Sequence, residues 1–225
     1  MTRQATVERK TKETFIEVVL NLDGTGENKI DTGIPLLDHM IRQIAVHGVF
    51  DLEVKAEGDT SIDAHHTMED VAIVLGQAFC RAIGDKTGIT RTAHSYVPMD
   101  EALAFVAVDF SNRPYWVVEI PWTGEAIGIT QDTIIPVTLI EHFIQSFAVQ
   151  AGLTLHAKVL TGRDDHHKAE AVFKALGRAL DQASRIDSKR QGTIPSTKGT
   201  LQEKGTKQEN NAVHRLQKPK TYSIH

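Results

Sequence analysis

A duplicated cassette of metal-binding residue types constrains this chain more than any other feature. Residues 65–69 read HHTME and residues 166–170 read HHKAE. A further histidine precedes each copy at a nearly matched offset, His39 in the first half and His142 in the second. This repetition indicates that an ancestral half was doubled and that both halves kept the residues needed to hold a metal. A two-metal enzyme is therefore the leading hypothesis.

The spacing within each cassette suits one turn of a helix. Residues three and four apart share a helix face, so the glutamate lies beside both histidines, while adjacent histidines point about 100° apart. One helix start can then serve two metal centres. Imidazole and carboxylate ligands without thiolate favour zinc, manganese, iron or nickel over calcium or magnesium.

Eight residues are candidate metal ligands. Shared evenly, they give three imidazoles and one carboxylate to each of two ions, and an octahedral ion keeps positions open for a substrate. The eight are His39, His65, His66, Glu69, His142, His166, His167 and Glu170.

Other interpretations compete with a catalytic metal site. A lone histidine such as His142 is more often a structural residue than a ligand, but its place in a duplicated pattern reverses that expectation. Structural metal sites usually close their shell with four thiolate or histidine ligands from short loops, and here the histidines are predicted on helices. A metal-storage helical bundle is disfavoured by the predicted strands. A dinuclear metallohydrolase acting on a phosphorylated small molecule stays open as the alternative enzyme.

Composition and charge limit the classes of protein to which this chain can belong. A chain of 225 residues with a net charge of −4 can bury a sizeable core and lacks the basic footprint of a nucleic-acid-binding protein. No apolar run is long enough to span a bilayer, and the N-terminus lacks a signal-peptide core. The single cysteine, Cys80, fits a reducing compartment. We expect a cytoplasmic protein with no nucleic-acid or membrane partner.

The order of predicted elements repeats in the two halves. In the first half we predict a strand at 14–22, a helix at 35–46, a strand at 51–56 and a helix at 67–83. In the second half we predict strands at 103–110 and 116–121, a helix at 138–151, a strand at 154–160 and a helix at 167–184. The predicted fold class is an α/β (α+β) sandwich of two pseudo-symmetric halves, each a mainly antiparallel sheet with helices on one face. We place the half-repeats at 1–88 and 89–201, in one compact unit, and predict a disordered tail at 202–225.

Local signals predict where three helices begin or end. Asp63 before the first cassette and Asp164 or Asp165 before the second are suitable N-caps. His47 precedes Gly48, which is typical of a helix C-terminus with a capping glycine.

Longer strings, which include both cassettes, run in order over about residues 5 to 201. They resemble the imidazoleglycerol-phosphate dehydratase family of histidine biosynthesis. The strings are DTGIPLLDHM (31–40), HG (47–48), DAHHTMEDVAIVLGQA (63–78), PMDEAL (98–103), SNRPY (111–115), IEHF (140–143), DDHHKAEAVFKALGRAL (164–180) and PSTKG (195–199).

The resemblance implies a lyase, homo-oligomeric and manganese-dependent, with two manganese(II) ions per active site. Such an enzyme removes water from imidazole glycerol phosphate and gives imidazole acetol phosphate. The resemblance also implies a homo-24-mer built from trimers, with active sites between subunits. The chemistry of the residues agrees, because metal charge on both ring nitrogens favours an imidazolate that can expel the neighbouring hydroxyl.

The resemblance also assigns roles to residues that the sequence alone would leave on the surface. It implies that Glu13, His39 and His47 are catalytic and line the substrate site, with Glu13 as the general base. By itself, Glu13 is an ordinary charged residue at a strand edge. The phosphate-binding set that the resemblance implies is Arg91, Arg113, Lys174, Ser196 and Lys198.

Overall fold

The computed structural model describes residues 3–60, 63–128 and 134–201. In the first half, short strands alternate buried and solvent-facing residues, and one helix lies before the last strand and one after it. Its elements are β1 (Gln4–Lys10), β2 (Thr14–Asn21), β3 (Asn28–Asp31), α1 (Pro35–Gly48), β4 (Asp51–Gly58) and α2 (His65–Ile83).

The second half repeats this arrangement with a small additional hairpin and a short 3-10 helix. Its elements are β5 (Thr92–Met99), β6 (Ala102–Asp109), β7 (Tyr115–Glu119), β8 (Ala126–Ile127), β9 (Ile135–Pro136), α3 (Val137–Gln150), β10 (Thr154–Thr161), α4 (Asp165–Ser184) and the 3-10 helix Ser188–Arg190. The predicted tail at 202–225 lies outside the described residues.

The two main sheets have the same topology. Their strand orders are β1-β2-β4-β3 and β5-β6-β10-β7. In each sheet the first two pairings are antiparallel and the last pairing is parallel. The predicted fold class, with two mainly antiparallel sheets and four helices, is confirmed. The division at residues 88 and 89 stays a prediction.

The four helices pack between the sheets and against one another across the two halves. Helix α2 packs on β1 and β2, and α4 packs on β5 and β6. Across the join, α1 packs against α4 and α2 against α3. Edge-to-face rings at the centre include Phe79, whose centroid lies 5.2 Å from that of Phe50 and 5.5 Å from that of Phe147. In the part of the chain that the structure describes, no helix is long and apolar enough to cross a membrane.

Two glycines let the paired helices approach closely. A Cβ atom at Gly76 of α2 would lie 2.7 Å from the carbonyl oxygen of Phe147 on α3. A Cβ atom at Gly177 of α4 would lie 2.7 Å from the carbonyl oxygen of Ile44 on α1. Both glycines follow a cassette glutamate by seven positions, from 69 to 76 and from 170 to 177. Each of the two helix pairs, α2 with α3 and α4 with α1, thus crosses closely at a glycine.

The capping predictions had mixed outcomes. Asp164 is the N-cap of α4, and its side chain accepts hydrogen bonds from the backbone N–H groups of His166 and His167. For α2 the N-cap position is Ala64, yet Asp63 still accepts the backbone N–H of His65 at 2.7 Å. Each cassette therefore starts a helix whose first amides are held by an aspartate.

The prediction that Gly48 caps α1 was wrong. The helix includes Gly48, and the left-handed residue is Val49, with φ of 57°. Glycine is required for space instead, because a Cβ atom at position 48 would lie 2.2 Å from the Phe50 ring and 2.9 Å from the Gly177 carbonyl oxygen.

Candidate metal centres

The first metal-ligand cluster lies where α1 meets α4. His39 comes from α1, and His166 and Glu170 come from α4. The Glu170 Oε2 atom is 2.9 Å from His39 Nε2 and 3.3 Å from His166 Nε2. The two imidazole rings are stacked with centroids 5.4 Å apart. Two ring nitrogens and a carboxylate thus converge on one point.

The second cluster lies where α2 meets α3. His65 and Glu69 come from α2, and His142 comes from α3. The His142 ring lies 5.2 Å from the His65 ring, and its Nε2 atom is 3.2 Å from Glu69 Oε1. That nitrogen is buried and makes no hydrogen bond in the described structure. A buried imidazole nitrogen without a hydrogen bond, facing a carboxylate, fits a metal ligand.

Each cluster combines a cassette from one half with the upstream histidine of the other half. In both clusters all ligand atoms lie within 4.8 Å of one another. Six of the eight candidate ligands are gathered in this way, two imidazoles and one carboxylate at a time. The even division expected from the sequence gives each ion a third imidazole. Within the described chain, His66 and His167 join neither cluster.

Lys174 lies beside the first cluster. Its Nζ atom is 2.6 Å from Glu170 Oε1. Burial alone raises the pKa of Glu170, but hydrogen bonds from Lys174 and His39 outweigh it and lower the pKa to about 2. The Glu170 carboxylate is therefore ionised near neutral pH, as a metal ligand must be.

The two remaining cassette histidines are held by carboxylates outside the predicted set of site residues. His66 Nδ1 lies 3.1 Å from Asp59 Oδ2, and His167 Nδ1 lies 2.8 Å from Glu101 Oε2. These hydrogen bonds raise the pKa of both histidines. The pKa of Glu101 falls to about 2, because the backbone N–H of Asp164 and then His167 hydrogen-bond to it. The only sequence signal for Glu101 was its place in the PMDEAL string.

Glu13 and His47 lie at different places. Glu13, in the turn between β1 and β2, is exposed, and its carboxylate lies 3.8 Å from His66 Nδ1. His47, near the end of α1, has a lowered pKa because it is partly buried and because Lys174 and Arg178 are close. Glu13 is thus adjacent to a cassette, whereas His47 lies beside a basic part of α4.

Three of the five predicted phosphate-binding residues form one group, which is Arg91, Ser196 and Lys198. The other two, Arg113 and Lys174, stand apart from it. Arg91 donates to both carboxylate oxygens of Asp109 and, at 2.7 Å, to the carbonyl oxygen of Pro195. It therefore holds the turn that carries Ser196 and Lys198. The backbone carbonyl of Arg113 accepts from Ser111 and Thr154. Lys174, as described above, pairs with Glu170.

Paired helices that gather histidine and carboxylate at two clusters, between two mainly antiparallel sheets, define an α/β protein with two candidate metal centres. The family model described as imidazoleglycerol-phosphate dehydratase matches residues 32–180. The chain belongs to this family, whose members are hydro-lyases. The resemblance noted from the sequence is confirmed.

Relatives and solved structures of this family match the chain over most of its length. The imidazoleglycerol-phosphate dehydratase of Roseiflexus sp. (strain RS-1) is 56% identical over 200 residues, which covers 89% of this chain and 98% of that protein. A structure of IGPD from Pyrococcus furiosus in complex with (S)-C348 has a TM-score of 0.72 at 34% identity and covers 86% and 99% of the two chains. The Staphylococcus aureus enzyme gives 0.70 at 34% identity, covering 80% and 97%.

Proposed function

We propose that this protein removes water from imidazole glycerol phosphate to give imidazole acetol phosphate, a step of histidine biosynthesis, in a manganese-dependent reaction in the cytoplasm. Two matched clusters of imidazole and carboxylate carry this proposal. A duplicated site suits a substrate whose flat ring offers two nitrogens. A phosphoryl group would instead suit a site richer in bridging carboxylates.

The residues present fit two manganese(II) ions per active site. His39, His166 and Glu170 would hold one ion, and His65, Glu69 and His142 would hold the other. Neutral imidazole with carboxylate, and no thiolate, is a ligand set that manganese accepts. When bound, the ions would supply positive charge that lowers the pKa of a substrate imidazole.

Glu13 is proposed to take the carbon-bound proton. Its side chain is 58% exposed, and its carboxylate lies 3.8 Å from His66 Nδ1. An exposed carboxylate on a turn next to a cassette is free to accept a proton from a bound molecule. His39 and His47 are proposed to contact the substrate, and His39 has a ring directed into the first cluster.

The phosphate group is proposed to bind at the turn around Ser196 and Lys198. The Ser196 hydroxyl accepts the backbone N–H of Lys198 at 3.2 Å, which keeps the two side chains on one short turn. Arg91, with N–H groups left after its bonds to Asp109 and Pro195, can donate to an anion. Arg113 and Lys174 complete the proposed set.

The enzyme is proposed to assemble as a homo-24-mer built from trimers, with active sites between subunits. The positions of His66 and His167 support this arrangement. Both rings are held through Nδ1, and neither joins the clusters of its own chain. Their Nε2 atoms can complete the ligand set of a neighbouring subunit.

The proposal is tested by removing and restoring metal. Protein stripped by a chelator is expected to lose turnover of imidazole glycerol phosphate, because the ring is no longer activated, and manganese(II) is expected to restore it. The ketone product and inorganic phosphate are measured together. Full turnover by verified metal-free protein contradicts the metal mechanism, and release of phosphate favours the metallohydrolase.

Replacing Lys198 by alanine is expected to raise KM for the substrate more than it lowers kcat. A charge-assisted hydrogen bond contributes about 1.5–3 kcal/mol, so the rise in KM is about 10- to 100-fold. Steady-state kinetics measure it. Lys189→Ala removes an exposed lysine from the preceding 3-10 helix and serves as the matched control. Equal KM values for the two variants would place the phosphate elsewhere.

A further inference from the structure

The second histidine of each cassette differs from its neighbours in which ring nitrogen is engaged. His39 and His142 meet the carboxylates of the clusters through Nε2. His167 instead meets Glu101 through Nδ1, at 2.8 Å. An ionised carboxylate only accepts hydrogen bonds, so the proton of the neutral ring lies on Nδ1 and the lone pair lies on Nε2. This tautomer offers Nε2 to a metal.

Glu101 is itself held in place. It lies in the turn between β5 and β6, and its Oε1 atom accepts the backbone N–H groups of Arg163 and Asp164 at 2.9 and 2.8 Å. Its other oxygen accepts from the ring of His167. One carboxylate thus ties a hairpin turn to the loop before α4 and to the ring that this helix carries. The orientation of the ring is fixed from outside its own helix.

We propose that Glu101 is a positioning residue for the metal site, which sets the tautomer and direction of His167 so that Nε2 is presented to an ion. This inference rests on the proposed function. Asp59 has the same role for His66 in the first half, through a contact of 3.1 Å. Carboxylates that hold a ligating histidine through its other nitrogen raise its basicity and restrict its rotation.

The two equivalent hairpin turns each carry a glutamate, but only the glutamate of the first turn is proposed as the base. Glu13 lies in the turn between β1 and β2, and Glu101 lies in the corresponding turn of the second sheet. In the first half Asp59 holds His66, and Glu13 stays 3.8 Å away without a hydrogen bond to the ring. In the second half Glu101 holds the ring directly. Equivalent turns therefore carry different roles, proton transfer in one and positioning in the other.

Glu101→Gln tests the assignment. Glutamine keeps an oxygen for the two backbone N–H groups but turns a donating amide toward Nδ1, which moves the ring proton to Nε2 and blocks ligation. Titration calorimetry of metal-free protein with manganese(II) is expected to show about 10- to 100-fold weaker binding of one ion. The thermal unfolding of the metal-free protein is expected to stay unchanged, which separates positioning from a general loss of structure.

A double-mutant cycle gives the sharper test. Glu101→Gln is expected to have no further effect on manganese affinity in a His167→Ala background, because it acts through that ring. Glu119→Gln, which removes an exposed carboxylate paired with Lys158 on the same sheet, is the control. Additive losses in the cycle, or wild-type affinity in Glu101→Gln, would overturn the assignment.

Two further outcomes keep the inference separate from the proposed function. Should Glu101→Gln not fold, Asp59→Asn makes the same test at His66 and is expected to weaken one ion equally; unchanged affinity there overturns the positioning role. Wild-type protein that neither binds manganese nor turns over substrate counts against the proposed function itself. Active wild-type protein beside an unaffected Glu101→Gln variant counts against the positioning role alone.

Discussion

Glu170→Gln is expected to remove one of the two bound ions and to lower kcat by about 10²- to 10⁴-fold, which corresponds to roughly 3–5 kcal/mol of lost transition-state stabilisation. The glutamine keeps the shape of the side chain but loses the charge that faces His39 and His166. It also leaves the Nζ atom of Lys174 without its ionic partner. Metal content per chain and steady-state kinetics measure the two effects.

Two comparisons make the Glu170 result specific. Glu69→Gln is expected to remove the other ion, since Glu69 supplies the carboxylate of the second cluster. Asp181→Asn breaks a surface ion pair with Arg185 on the same helix as Glu170, and such pairs contribute only about 0–1 kcal/mol. A Glu170→Gln variant that keeps both ions and the wild-type kcat would contradict the assignment of the cluster.

Glu13→Gln is expected to lower kcat by about 10²- to 10⁴-fold, the usual range for loss of a general base. Manganese content and KM are expected to change little, because Glu13 belongs to neither cluster. Steady-state kinetics and metal content per chain measure these effects.

The control for Glu13 lies on the adjacent strand. Glu8 is an exposed carboxylate of β1, and Glu8→Gln removes the same charge without touching a cassette. A loss of kcat in both variants would indicate a general electrostatic effect of the hairpin. A wild-type kcat in Glu13→Gln would assign the base to another residue.

Much of the fold could be predicted because the hydrophobic pattern and the cassette repeat along the chain. The helix predicted at 67–83 ends at Ile83 as predicted and begins two residues earlier than predicted, at His65. The strand β1 was missed because Val7 is its only fully buried residue, so its sequence has little apolar alternation. The cap expected at Gly48 failed because the need for glycine there comes from Phe50 and Gly177, which the local sequence cannot show.

The sequence predicts which residue types form the site, but not how they divide between the two clusters. Eight ligand types stand out in the sequence, yet which histidine meets which cassette depends on the packing of α1 against α4 and of α2 against α3. Asp59 and Glu101 were missed because they reach the cassettes from a loop and a turn. Acidic residues in such places are common, and only their distance from a ring nitrogen distinguishes them.

The three ligands of each cluster come from both halves of the chain, which affects how strongly the two halves hold together. Neither half holds a complete triad, so an ion held by all three residues of a cluster requires both halves to be docked. Binding free energy then adds directly to cohesion between the halves, in proportion to the logarithm of metal concentration. A bound ion would therefore cross-link the two halves, and removal of metal is expected to weaken the contact between them.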